Sequence, residues 1–538
     1  MTTAWREALA SEYRRIEATP LPETVPALLE QAARRFGTGT AIDFFEDGES
    51  LSFVALRDRV RRLASSLHRL GVQKGTHVAV AMPNRIEFPV TWLALAELGA
   101  VMVPIGPSVV SRELAYYYDD GDVTHAVLDA SLTGVHESIA ADERPFAENV
   151  VVVGECRPYP SFADLMAAGD PQFLSPQPPT RGDLLNIQYT SGTTGMPKGV
   201  MQTHRFWVVC GCLPTLLFRD SIRRILAEHP FHYMDPQWML IMGLHSGARV
   251  DFTRGMSVRR FMEWLHTRGS ELVWFADPLL KTPPSPRDRE TSAKLFLAYN
   301  FSREMIESAE ARYGVRTREF YGMTEIGPAL MVPYELADAS LLGTCGLPVP
   351  FRECRIVDEN GRDVAPGEPG ELWVRGDSIL DGYYKRPDVN ARLLTDGWFH
   401  TGDLFVQDAT GAYRIVGRLK DMIKRSGENV SALEVERVLL ELPAIREAAV
   451  VPVPDSHRDE EVKAYVQLRD GQAREHTSPD QILEHCRARL AKFKLPRYLE
   501  YVDEFEYTPS GKVAKHLLLK QKSDLREDSY DFVDAVWR

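Results

Sequence analysis

The sequence predicts an α/β protein: a large N-terminal part of mainly parallel sheets covered by helices, a β-rich stretch, and a small α+β unit at the C-terminus. Three observations carry this reading. Helical and strand patterns alternate from the start of the chain, as in sheets whose crossovers are helices. After residue 340 the apolar segments become short and separated by turns. A chain of 538 residues is also too long for one core, and about three or four structural units are expected.

The elements follow in order. In "ALRDRVRRLASSLHRLG" (55–71), Leu56, Val60, Leu63, Ala64, Leu67 and Leu70 recur at three- and four-residue intervals. That spacing predicts an amphipathic helix, with Gly71 placed to end it. "HVAVAM" (77–82) reads as a buried strand before Pro83. Another helical stretch ends near Gly99, and "AVMVPI" (100–105) reads as the next strand. In sheets of this kind, ligand sites fall in loops beyond the strand ends. Further on, "CRIVDENGRDV", "GELWVRG" and "GAYRIVGR" are β segments divided by Asn-Gly, Pro-Gly and Thr-Gly turns. From Ser431 the order is helix (431–442), strand (447–454), strand (461–468) and helix (478–493). The acidic tail from Ser523 to Arg538 carries a few aromatics, and docking and disorder are both open for it.

Composition narrows the function classes. Hydrophobic residues make up 44% and charged residues 26%, an ordinary globular balance. A net charge of -13 argues against nucleic acid as a partner, because phosphate backbones are bound by concentrated basic surface. Cys156, Cys210, Cys212, Cys345, Cys354 and Cys486 show no zinc-site spacing and are expected to be reduced, mostly buried thiols. The start, "MTTAWREALASEYRR", is charged and lacks the apolar core of a signal peptide. "VTWLALAELGAVMVPIG" (90–106) is interrupted by Glu97 and falls short of the roughly 20 apolar residues of a membrane span. A cytoplasmic enzyme with no membrane span is expected.

The chemistry concentrates in "YTSGTTGMPKGV" (189–200). Small residues let backbone N–H groups approach an anion, and Thr190, Ser191, Thr193 and Thr194 add hydroxyl donors around Gly192 and Gly195. Lys198 adds a mobile positive charge suited to phosphate oxygens. The common P-loop pattern is absent, since Pro197 precedes the lysine. The stretch reads as a nucleotide-phosphate loop of another kind.

That string resembles the signature of the adenylate-forming superfamily: acyl-CoA synthetases, firefly-type luciferases and peptide-synthetase adenylation domains. "YGMTE" (321–325), "WFHTGDL" (398–404), "GRLKDMIKRSGENVSALEVE" (417–436) and "TPSGKVAK" (508–515) follow in the family's order. The resemblance covers nearly the whole chain. It implies an adenylation (AMP-binding) domain over 1–419 and a mobile α+β C-terminal domain over 420–538, hinged at Lys420. It implies that Tyr321 stacks on adenine beside Gly322, that Thr324 lies near the α-phosphate, and that Glu325 helps hold Mg²⁺. Asp403 is implied as the ribose ligand and Arg418 as a second ribose or phosphate contact. Lys512, in a turn near the chain end, is implied as the lysine that assists adenylation.

The resemblance implies ATP- and Mg²⁺-dependent activation of a small-molecule acid as acyl-adenylate, with pyrophosphate released. Transfer to a thiol follows, with coenzyme A the expected acceptor. Rival readings are an amino-acid or aryl-acid adenylation enzyme loading a separate carrier protein, and adenylation of a small oxyanion such as nitrite for transfer to an amine. A non-enzyme nucleotide-binding relative would need damaged catalytic positions, yet Lys198, Glu325, Asp403 and Lys512 are intact.

The acid pocket departs from the family. "LFLAYNFSREM" (295–305) replaces the usual glycine-rich segment, as in crotonobetaine/carnitine-CoA ligases, which share the "GENVS" wording. His232 holds the position of a gating histidine or aromatic. Asp235, Trp238, Trp274 and Tyr299 are bulky or charged candidates for the acid site. Three uses are open: aromatic faces with Asp235 around a quaternary ammonium, as a betaine substrate carries; bulk that shrinks the pocket for a very small acid; or recognition of a substrate amine by Asp235.

Overall fold

The alternation seen in the sequence becomes two sheets of mainly parallel strands with helices between them. The computed structural model describes residues 3–141, 143–144, 149–155, 157–190, 196–219, 221–335, 339–426, 428–507 and 513–538. Two compact units emerge: one takes the chain up to Thr190, Lys198–Cys354 and Val374–Phe399; the other includes Arg355–Trp373 and His400–Arg538.

In the first unit, a six-stranded sheet runs Val150–Val153, His125–Asp129, His77–Ala81, Val101–Ile105, Leu184–Thr190, Lys198–Thr203. Its strands pair in parallel until the last two, which form an antiparallel hairpin with Thr190 opposite Lys198. The central strands are buried on both faces, as their continuous apolar sequences require. The periodic helix spans Phe53–Arg69, starts on a Ser52 cap that accepts from the Ala55 N–H, and buries Leu56, Val60, Leu63, Ala64 and Leu67. Gly71 follows it at φ +93°, and Gly99 closes the helix Glu87–Leu98 in the left-handed region.

A nine-stranded sheet in the same unit places the acid-pocket candidates. Its six central strands are parallel: Arg316–Met323, Leu295–Ala298, Leu272–Trp274, Arg224–Ala227, Arg249–Phe252 and Thr40–Phe44. Antiparallel strands flank them at both edges. Parallel strands end on one side, so Tyr321, Tyr299, Trp274 and Glu228 reach the same carboxyl edge from four neighbouring strands. This is the edge where open α/β sheets bind ligands.

In the second unit, "GAYRIVGR" forms the strand Tyr413–Arg418, paired antiparallel with Trp398–Gln407 so that Arg418 stands opposite Asp403. The α+β unit read from Ser431 has the helix Ala432–Leu440 and the long hairpin Ile445–Asp455/Asp459–Leu468. Its final helix is shorter than its sequence pattern: it covers Pro479–Arg487, and a 3-10 turn follows at Lys492–Lys494. Pro496 disfavours helix at Leu495, and Arg425 Nη1 donates to the carbonyls of Phe493 and Leu495 at 2.9 Å, so neither carbonyl continues an α-helix. The acidic tail docks. Tyr530–Asp531 pairs with Tyr498 and Leu499, a hairpin returns through Val536–Trp537, and Arg538 donates to buried Asp531.

The five described cysteines are free, and four are buried. No helix among the described residues is long and apolar enough to cross a membrane.

Candidate active site

In the first unit, the strand Arg316–Met323 delivers Tyr321 and Gly322 to the sheet edge and leads into Thr324 and Glu325. Gly322 is required there: a Cβ would stand 2.5 Å from the Gly327 carbonyl oxygen. Tyr321 is buried, and its hydroxyl donates to the Met323 sulfur at 3.2 Å. Gln202, on the strand that begins with Lys198, donates to the Thr324 carbonyl at 2.8 Å. The hairpin that pairs Thr190 with Lys198 is therefore tied directly to the second motif.

Glu325 is buried, and Tyr383 organises it. The Tyr383 hydroxyl donates to Glu325 Oε1 at 2.9 Å, while Lys198 Nζ lies 5.5 Å from the centre of its ring, within cation–π range. Burial first, and Glu325 second, push the Tyr383 phenol far above its ordinary pKa, so it remains a donor. Arg352, fully buried, fixes the following turn by donating to the Ile326 carbonyl and to Ser378 Oγ, both at 2.7 Å. Among the described residues no three metal-ligating side chains cluster. Mg²⁺ is commonly held by one or two carboxylates plus substrate phosphates, and Glu325 is a buried carboxylate of the kind such a site uses. Thr190 and Lys198 face each other at the hairpin end. Ser191, Gly192, Thr193, Thr194, Gly195 and Lys512 lie outside the described residues.

In the second unit, Arg418 Nε lies 2.8 Å from Asp403 Oδ1, and Asp403 is almost wholly buried. The turn before it is braced: Gly402 N–H donates to Glu371 Oε1 at 2.9 Å, and Trp373 donates to Glu371 Oε2 at 2.8 Å. The Trp373 ring stacks on His400 at 3.8 Å. A fixed carboxylate suits paired ribose hydroxyls. Lys420 sits in the 3-10 turn Leu419–Asp421, its ammonium below its ordinary pKa chiefly through desolvation, with repulsion from Arg418 and Lys515.

Four of the acid-pocket candidates, Asp235, Trp238, Trp274 and Tyr299, come together. Trp238 and Trp274 meet edge-on at 6.2 Å, Trp274 and Tyr299 at 5.4 Å, and Trp274 lies 4.7 Å from Phe320, next to Tyr321. Asp235 Oδ1 accepts from Trp238 Nε1 at 3.2 Å. The helix carrying them, Met234–Ser246, packs close because Gly211 lacks a side chain; a Cβ there would stand 2.3 Å from Ile241 Cβ. The loop before that helix is pinned by Asn84 to the His229 carbonyl and by Gln188 to the His232 carbonyl. His232 itself packs against Gly106, and burial lowers its pKa to about 4. Two residues beyond the motif reading belong to this geometry, Tyr383 and Glu228. The second had a faint signal, an acid in the otherwise apolar run "ILAEHPF".

Residues 29–384 match the profile of the AMP-binding enzyme family, and 434–512 match the AMP-binding enzyme C-terminal domain. The chain belongs to the AMP-binding enzyme family. Within it, the crotonobetaine/carnitine–CoA ligase of Citrobacter koseri is 30% identical over 507 residues, 90% of this chain and 97% of that protein. The ligase of the same name from Salmonella typhi is 30% identical over 509 residues, with the same coverage. ATP-bound MatB from Rhodopseudomonas palustris aligns with a TM-score of 0.83 at 26% identity, over 92% of this chain and 98% of that one. The o-succinylbenzoate CoA synthetase of Bacillus subtilis shares the fold, with a TM-score of 0.79 at 24% identity. The AMP-binding family membership bears out the adenylate-forming fold and the acyl-CoA synthetase type that the motifs imply.

Proposed function

We propose that the protein activates a small carboxylic acid with ATP and Mg²⁺ and passes the acyl group to coenzyme A. ATP with Mg²⁺ supplies the α-phosphorus at which the carboxylate displaces pyrophosphate; the thiol then displaces AMP. The observation that carries the reading is the Lys198–Tyr383–Glu325 arrangement, which ties the phosphate hairpin to the metal-side carboxylate in a chain whose relatives are CoA ligases.

The residue roles follow from chemistry. Thr190, Ser191, Thr193 and Thr194, with the backbone of Gly192 and Gly195, cradle phosphates, and Lys198 neutralises their charge. Tyr321 offers its face to adenine over Gly322, Thr324 hydrogen-bonds near the reacting phosphate, and Glu325 holds the cation. Asp403, steadied by Arg418, takes the ribose hydroxyls. Lys512 offsets charge that builds on the phosphoryl oxygens. Lys420 marks the hinge between 1–419 and 420–538, and turning there exchanges the adenylating arrangement for the thiol-accepting one. Substrates such as ATP and coenzyme A support a cytoplasmic location.

The test is pyrophosphate release with ATP·Mg²⁺ across a panel of acids, each with and without coenzyme A. An acid-dependent signal that yields a CoA thioester supports the reading. Release that ignores coenzyme A and needs a carrier protein, or nitrite with an amine, overturns the acceptor assignment.

A further inference from the structure

Glu228 is the first residue beyond the strand Arg224–Ala227, on the carboxyl edge shared with Tyr321. It is only 4% exposed, and its Oε2 has no hydrogen-bond partner among the described residues. The nearest cationic candidate is His229, whose Nδ1 stands 3.7 Å from Oε1, too far for a hydrogen bond. Among the described residues no lysine or arginine pairs with it. Burial, with Asp235 adding to it, drives the Glu228 carboxyl well above the usual range.

A buried carboxyl group left this way is costly in either state: ionised it lacks a counter-charge, and protonated it lacks an acceptor. The surroundings describe the missing partner. Asp235 supplies a second carboxylate from the first turn of the helix Met234–Ser246. The Tyr299 phenol is pushed up to about 12, by desolvation first and then by Asp235 and Glu228. Trp238, Trp274 and Tyr299 contribute π-faces, the Trp274 Nε1 is also without a partner, and Tyr299 leaves 52% of its surface open. Two carboxyl groups and three aromatic rings, with no lysine or arginine paired to Glu228 among the described residues, form a site for a positive group. A quaternary ammonium would bring charge but no hydrogen for Oε2. An ammonium with N–H bonds brings both.

We infer that Glu228, with Asp235, is the specificity site of the acid pocket and selects carboxylic acids that carry an N–H-bearing ammonium group. This rests on the ligase reading and adds a substrate class to it. The Trp274–Phe320 contact links the site to Tyr321, so such an acid spans from Glu228 toward the nucleotide motif with its carboxylate leading.

The experiment compares matched acids: 4-aminobutyrate, its N,N,N-trimethyl derivative and pentanoate, whose tail is uncharged, together with β-alanine and 4-(aminomethyl)benzoate. Pyrophosphate release is measured for the wild type and for Glu228→Gln and Glu228→Leu, with thermal unfolding as the folding control. In the wild type an amine acid should exceed its trimethyl and uncharged counterparts in kcat/KM by at least about tenfold. Glu228→Gln should shrink that ratio by about 10-fold or more, mainly through KM, and both variants should melt no lower than the wild type. An unchanged ratio in Glu228→Gln, or a wild-type preference for the trimethyl or uncharged acid, overturns the inference. Calorimetric binding of the same acids separates the two readings. Amine-acid binding that Glu228→Gln abolishes supports the site even if no pyrophosphate appears, in which case the ligase reading fails alone. No binding by any amine acid overturns the site.

Discussion

The Tyr383 hydroxyl donates a 2.9 Å hydrogen bond to Glu325, and the same ring lies 5.5 Å from the Lys198 ammonium. One side chain thus contacts two charged residues that are 127 residues apart in the chain, and which we propose face the phosphates and the metal ion. Tyr383 is itself fixed, since its N–H donates to Asn390 Oδ1 at 2.7 Å. On the proposed reading, it acts on the reaction through its neighbours.

Tyr383→Phe keeps the ring beside Lys198 and removes only the bond to Glu325. Hydrogen bonds to charged groups contribute about 1.5–3 kcal/mol, so kcat/KM for pyrophosphate release should fall about 10- to 100-fold. The concentration of Mg²⁺ giving half-maximal rate should rise. A fall in rate with an unshifted Mg²⁺ dependence would place the effect elsewhere.

Lys512→Ala should lower the adenylation rate by about 10²–10³, the usual loss of one positioned donor at a charged transition state. Stopped-flow pyrophosphate release measures this step. Full adenylation by the variant would remove Lys512 from the mechanism.

His232 should stay neutral through the working pH range, because burial holds its pKa to about 4. Its imidazole NMR signals should not titrate between pH 8 and 5. The sign for stability follows: the unfolded chain protonates near 6.5 while the folded one does not, so His232 costs stability as pH falls from about 6.5 toward 4. His232→Gln should flatten that part of the acid limb of Tm against pH. A midpoint near 6.5 for the ring would contradict the burial described.

Asp531→Asn tests the docked tail. Desolvation raises the Asp531 carboxyl, but hydrogen bonds from Arg538, the Val533 and Asp534 N–H groups and Arg497 outweigh it, leaving the pKa below its ordinary value. Its stabilisation is full above the unfolded value of about 3.9 and is lost as pH falls through the lower folded value. The variant should lose about 1–3 kcal/mol at neutral pH and show a weaker acid dependence below pH 4. Hydrogen exchange should rise first at Tyr530–Asp531. Unchanged exchange there would show that the hairpin is held by other contacts.

Much of this was legible in the sequence, for a definite reason. Periodicity and turn residues report local structure, so the helix Phe53–Arg69, the strand His77–Ala81 and the left-handed Gly99 lie where the pattern put them. The last helix was overread because the segment after Arg487 is fixed by distant contacts, with Arg425, some 70 residues earlier, capturing the carbonyls of Phe493 and Leu495. The same limit applies to the site. Motif residues announce themselves by spacing, but Tyr383 earns its place through contacts with Glu325 and Lys198 that no local pattern encodes. Trp238, Trp274 and Tyr299 could be named as candidates from their bulk; their meeting depends on strand order in the nine-stranded sheet. Glu228 matters because its buried Oε2 has no hydrogen-bond partner among the described residues, which only the packed structure reveals.

The central claim is that an acid oxygen attacks the α-phosphorus and that coenzyme A then displaces AMP. An accepted acid labelled with ¹⁸O in both carboxylate oxygens tests it directly, with mass spectrometry of the nucleotide and thioester products. The account predicts one ¹⁸O in AMP, one retained in the acyl-CoA, and unlabelled pyrophosphate. Label in inorganic phosphate with ADP formed, or AMP without label, would contradict it.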